Sequence, residues 1–125
     1  MPVRRLFLKR KTMSTLSKEI EVQNKICEYL SKKGYFFMRL NNTPVFDKKL
    51  NNGYGGYRSQ GKWAASGMAD ILLIDKERYG LAVFLEVKDK GRQSPDQRLF
   101  AKRCCMNNAE YAVVKSVDDV KQLGY

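Results

Sequence analysis

The stretch that decides the fold is MADILLIDKERYGLAVFLEVKDK, residues 68–90. Two apolar runs, Ile71–Ile74 and Ala82–Leu85, have the branched, apolar composition of buried strands. The short link Lys76–Gly80 suits an antiparallel hairpin. Charges interrupt both runs: Asp70 opens the first, and Glu86 and Lys88 stand in and at the end of the second. Strand side chains alternate between faces. Phe84, Glu86 and Lys88 therefore share one face, and Asp70 shares its face with Leu72 and Ile74. In a hairpin the start of one strand lies beside the end of the other. Two carboxylates and one ammonium converge at that end of the sheet.

Isolated charges in such a place are costly. One reading is a structural ion pair of Lys88 with Asp70 or Glu86. It leaves a carboxylate over, and buried pairs seldom add much stability. The other reading is chemical. Asp70, Glu86 and the Val87 carbonyl make a hard, oxygen-rich site for Mg²⁺ or Mn²⁺. Lys88 then positions or deprotonates a water and steadies charge on a phosphate. The chemistry favours the second reading.

The rest of the sequence narrows the function classes. With 125 residues the chain suits one domain, and 43% hydrophobic content suits a globular one. A net charge of +11 favours an anionic partner, most simply nucleic acid. No long basic amphipathic helix speaks for a membrane surface, and no run of about 18 apolar residues speaks for a span. Three cysteines, two of them adjacent (Cys104 and Cys105), make neither a disulfide framework nor a zinc pattern, which suits a reducing cytoplasm. The chain has no histidine, which removes histidine acid/base catalysis, serine triads and HExxH metal sites.

Along the chain, residues 1–13 are basic and aperiodic, either a flexible tail or an arm that touches phosphates. Residues 14–125 form the single domain. A helix is predicted over 15–33, capped by Ser14 or Ser17 and ended by Gly34. Its apolar side holds Ile20, Ile26, Cys27 and Leu30, with Val22 and Tyr29 at one margin. Glu19 and Gln23 share that side one turn apart, whereas Glu21 points to solvent with Lys25 and Glu28. A strand follows at 35–40, then a long loop to Gly67. Arg39, Lys48, Lys49, Arg58, Lys62 and Trp63 along that stretch suit phosphates, sugars or unstacked bases, as do Lys90 and Arg92 after the hairpin. Ser94-Pro95-Asp96-Gln97 starts a second helix with a capping box and reaches about Asn107. A strand over Tyr111–Val114 precedes a short helix capped by Ser116, with Val117, Val120 and Leu123 inward. The order α-β-β-β-α-β-α gives an α/β fold, a mixed central β-sheet flanked by helices.

These residues carry a resemblance. Asp70…Glu86-Val87-Lys88 resembles the D…(D/E)xK core of the PD-(D/E)XK nuclease superfamily. Gly67-Met68-Ala69-Asp70 is similar to the GxPD lead-in of the VRR-NUC family, with Ala69 in place of proline, and Phe84–Lys88 is similar to its core strand. Ser94–Gln97, Lys115–Val120 and the Glu19–Gln23 helix match further family motifs, over about residues 17–123. The resemblance implies a restriction-endonuclease-like core and a Mg²⁺- or Mn²⁺-dependent endonuclease that hydrolyses DNA phosphodiesters. It assigns Asp70, Glu86 and the Val87 carbonyl to the metal, and Lys88 to catalysis. Glu19 would act through metal water or a second metal, supported by Gln23. Gln97 would orient Lys88 or the phosphate, or serve only its cap. Stand-alone domains of this size resemble viral or bacterial enzymes, at work in a bacterial or phage-infected cell, that cut branched DNA as homodimers. Resolution of four-way (Holliday) junctions is the expected activity, with flap cleavage and an inactive DNA-binding protein as alternatives.

Overall fold

In a computed structural model, the structure describes residues 2–40, 45–58, 63 and 65–125, and the side chains of all of these except 2–17, 45, 57 and 58. The chain runs α1 (Pro2–Lys33), β1 (Phe36–Arg39), β2 (Val45–Asp47), β3 (Gly56–Arg58), β4 (Ile71–Asp75), β5 (Leu81–Val87), α2 (Pro95–Met106), β6 (Glu110–Val114) and α3 (Val117–Gln122). The main sheet has the order β1-β4-β5-β6. β4 pairs antiparallel with β1 and β5, whereas β6 joins β5 in parallel. A parallel neighbour needs a crossover, and α2 provides it.

The hairpin expected from the opening stretch forms, with Ile71 opposite Leu85 and Asp75 opposite Leu81. Asp75, Tyr79 and Gly80 make its turn: Glu77 N donates to Asp75 Oδ1, and Tyr79 and Gly80 take positive φ. One face of the sheet is the core. Ile71, Leu73, Val83, Leu85, Val87 and Val114 pack there on Ile26 and Leu30 of α1 and Val120 of α3. Each fully buried branched side chain contributes about 1.5–3 kcal/mol.

The sequence reading needs four corrections. The first helix starts at Pro2, not near residue 15, so Ser14 and Ser17 lie in its interior and cannot cap it. Residues 2–13 supply proline at N1 and then Leu, Lys, Arg and Met, all good helix formers; their lack of apolar periodicity hid this. Ile20 is 51% exposed, one turn and a half before the core position Ile26. The long loop contains a small hairpin of β2 and β3. Leu123 is 43% exposed, and the buried residue beyond α3 is Tyr125. The expected caps Ser94 and Ser116 are both present, accepting from Gln97 N and Asp119 N.

Helix α1 has a direction that matters for the site. Gln23 bonds Asp70, whereas Tyr29 donates to the Tyr125 carbonyl at the opposite end of the sheet, where Tyr125 OH meets Asp75. The helix therefore leaves the Asp70 end on its N-terminal side. Residues 2–17 add about 24 Å of helix there, at about 1.5 Å per residue.

Candidate active site

Asp70 lies just before β4, and the register sets it across from Glu86. Its backbone is tied on both sides: Asp70 N donates to Leu85 O at 3.1 Å, and Leu40 N donates to Asp70 O at 2.8 Å. Its carboxylate accepts from Val87 N at 2.8 Å and from the Gln23 side chain. Glu86 is 3% exposed. Its Oε1 accepts from Gln97 Nε2 at 2.7 Å and lies 3.8 Å from Lys88 Nζ. Its Oε2 is buried and has no hydrogen-bond partner among the described residues.

The electrostatics follow from this placement. Desolvation pushes Glu86 up to about 8, and the Asp70 charge adds to it; Lys88 opposes, and Glu19 raises it further. Asp70 is raised as well, first by desolvation, against the Val87 amide, Lys88, Arg39 and Gln23. A chain of net charge +11 thus gathers two carboxyl groups at one sheet end, where burial and their mutual proximity disfavour charging both. One buried carboxylate oxygen there lacks a partner, which is costly unless a proton or a cation fills the gap. A divalent cation with a preference for oxygen fits that deficit. Among the described residues no group of three or more His, Cys, Asp or Glu side chains stands close enough to enclose a metal. Two carboxylates alone do not make a closed structural cage; a cation held here would need further oxygen ligands.

Gln97 serves two tasks at once. Its Oε1 accepts from Ser94 N at 2.8 Å, closing the capping box, while its Nε2 donates to Glu86. The amide thus aims at Glu86, and not at Lys88 as one expectation had it. The α2 N-terminus is itself seated by the loop before Asp70. Ser66 Oγ donates to Asp96 Oδ2 at 2.8 Å. Gly67, at φ +72°, comes so close that a methyl group on it would meet the Asp96 carbonyl at 2.4 Å and Gln97 N at 2.6 Å. This contact was not foreseen, though a glycine three residues before an acid is a visible signal.

Of the other expected residues, Glu19 and Gln23 are half-buried on the site side of α1, while Glu21 is exposed. Arg39 is exposed on β1 and its charge reaches Asp70. Lys48 and Lys49 are exposed in the β2–β3 turn; Trp63, Lys90 and Arg92 are exposed too. The Arg58 side chain and Lys62 lie outside the described residues. Sequence reasoning missed Tyr111 of β6. Its hydroxyl accepts from Gln93 Nε2 at 3.1 Å, and desolvation, then the Glu86 and Asp70 charges, push it up against that bond.

A mixed four-stranded sheet with flanking helices, bearing two carboxylates and a lysine at one end, defines the restriction-endonuclease-like α/β class. A solved structure described as a VRR_NUC domain matches with a TM-score of 0.57 and 25% sequence identity, covering 85% of this chain and 92% of that one. The resemblance seen in the motifs thus extends to the fold, which is that of a VRR-NUC domain. No family model and no curated protein matches the sequence.

Proposed function

We propose that the chain is a Mg²⁺- or Mn²⁺-dependent DNA endonuclease that hydrolyses phosphodiester bonds. The observation that carries this reading is the partnerless, buried Glu86 Oε2 set across from Asp70 and beside Lys88. Asp70, Glu86 and the Val87 carbonyl would hold the cation, with Glu19 acting through water or at a second cation. A divalent cation bound there supplies Lewis acidity toward the phosphate oxygens and the attacking water. Hydrolysis forms one P–O bond from water and breaks one P–O ester bond. Lys88, half-buried and 3.8 Å from Glu86 Oε1, brings positive charge to the developing phosphorane and orients the water. Gln97 keeps Glu86 aimed, and Gln23 does the same for Asp70.

The DNA-facing residues in this reading are Arg39, Lys48, Lys49, Arg58, Lys62, Trp63, Lys90 and Arg92. The basic stretch 1–13 adds a phosphate-contacting arm, because α1 runs past the Asp70 end. Selectivity comes from DNA shape, as no base-reading motif is present. We take a branched substrate, most simply a four-way junction, cut by a homodimer whose two sites match its two symmetric strands. Three free thiols suit a reducing cytoplasm, and no described helix is long and apolar enough to cross a membrane.

A matched panel of linear, flap, splayed and four-way DNA, cleaved beside a measurement of solution mass, tests the substrate. Symmetric cuts in the four-way DNA by a particle of twice 14.5 kDa are expected. Preference for flaps by a monomer would replace the junction reading.

A further inference from the structure

The β2–β3 hairpin carries an exposed aromatic ring on a turn built from asparagine and glycine. Tyr54 is 90% exposed. Around it Asn51 (φ 54°), Asn52 (φ 58°), Gly53 (φ 92°) and Gly55 (φ 87°) all take the left-handed region, which few residue types adopt cheaply. Hydrogen bonds close the turn: Tyr54 N to Asn51 O at 3.2 Å, Gly55 N to Leu50 O at 2.9 Å and Asn51 Nδ2 to Gly55 O at 3.0 Å. A methyl group on Gly55 would stand 2.7 Å from the Phe46 ring. The turn is closed by its own backbone, and the ring it presents outward stands almost wholly in solvent. The left-handed positions are held by asparagine and glycine, the residues that take them at least cost, so the sequence itself dictates this turn.

Position gives the task. The hairpin is inserted between Leu40, which bonds Asp70 O, and the loop that leads into Asp70. Both ends of the insertion are thus at the catalytic end of the sheet. Lys48 and Lys49 are exposed on the same turn, with Lys49 N fixed to Asp47 Oδ1 at 2.9 Å. An exposed ring on a turn that also carries ammonium groups suits a base on its face and the flanking phosphates around it. In an intact duplex the base faces are stacked and shielded. At a branch point a base face is available.

We propose that Tyr54 is a stacking residue that receives an unstacked base at a DNA branch point, with Lys48 and Lys49 on the adjoining phosphates. This rests on the nuclease reading and supplies its branch selectivity. The backbone hydrogen bonds of the turn fix where the ring starts from the chain.

The test is binding by the full chain, with Ca²⁺ in place of Mg²⁺, to a four-way DNA and a linear duplex of equal length. A 2-aminopurine at the branch reports stacking. The wild type should quench it. Tyr54→Ala should lose the quench and weaken four-way binding about tenfold, leaving linear binding unchanged. Tyr54→Trp should keep both. Tyr79→Ala is the control, since Tyr79 is 101% exposed on the β4–β5 turn at the far end of the sheet. Equal weakening on both DNAs, no change with Tyr54→Ala, or the same loss with Tyr79→Ala would overturn the proposal. Each of these leaves the nuclease reading standing, whereas a wild type that cuts no DNA with Mg²⁺ sinks that reading itself.

Discussion

At the residue scale the centre turns on Glu86. In the metal-free protein it sits at about 8, above the ordinary glutamate range, because burial and Asp70 penalise its charge. A raised carboxyl favours the fold while it is protonated, and that contribution is lost as pH rises through the folded value. Thermal melting in EDTA should therefore show stability declining between about pH 4.5 and 8. Glu86→Gln should flatten this decline, and an unchanged slope would mean the carboxyl is not buried as described. The sequence made Asp70, Glu86 and Lys88 legible because strand alternation and a short turn leave little freedom in where they meet. Helical spacing placed Glu19 and Gln23 on the site side of α1, although Ile20, expected on that side too, is 51% exposed. The sequence did not show that Gln97 bonds Glu86: the expected partners are Lys88, the phosphate or the cap alone, and only the approach of α2 brings the amide to Glu86.

At the element scale the decisive contact is between the loop 65–69 and the first turn of α2. Gly67 allows the two backbones to meet, and that meeting brings Asp70 and Gln97 to Glu86 together. Gly67→Ala should force α2 away, shift the side-chain amide resonance of Gln97 and lower cleavage about 10–100-fold. Gly34 and Gly80 are the controls, at φ +79° and +80° with nothing within 4 Å of an added methyl. Alanine at either costs similar backbone strain, and both variants should keep the resonance and the activity. Equal losses in all three would reduce Gly67 to a matter of backbone strain. Short or amphipathic elements divided at this scale by their signals. The β4–β5 hairpin, the capping box at Ser94 and the N-cap at Ser116 could be read from spacing. The β2–β3 pair has only three residues per strand amid Asn and Gly, and the start of α1 is charged on every side, so neither shows a period.

At the scale of the whole molecule the two ends of the sheet have separate duties. The end away from Asp70 is closed by Tyr125. Its hydroxyl donates to buried Asp75 at 2.6 Å, its ring meets Tyr35 edge-on at 5.6 Å, and Tyr29 bonds its carbonyl at 2.6 Å. No local pattern announces a contact between residues so far apart in sequence, so this closure was illegible before folding. Tyr125→Phe leaves Asp75 short of a partner at a cost of about 1–3 kcal/mol. The melting temperature should drop by several degrees while cleavage of DNA stays as in the wild type; a parallel loss of activity would mean the two ends are coupled. The other end concentrates acid on a basic protein, and on that contrast the account rests. Its most direct test is cleavage of plasmid and four-way DNA by the wild type, Glu86→Ala and Lys88→Ala, each with Mg²⁺ and with EDTA. The wild type should cut only with the metal, and both variants should fall about a hundredfold or more. Equal cutting by all three proteins, or cutting by the wild type that survives EDTA, would contradict it.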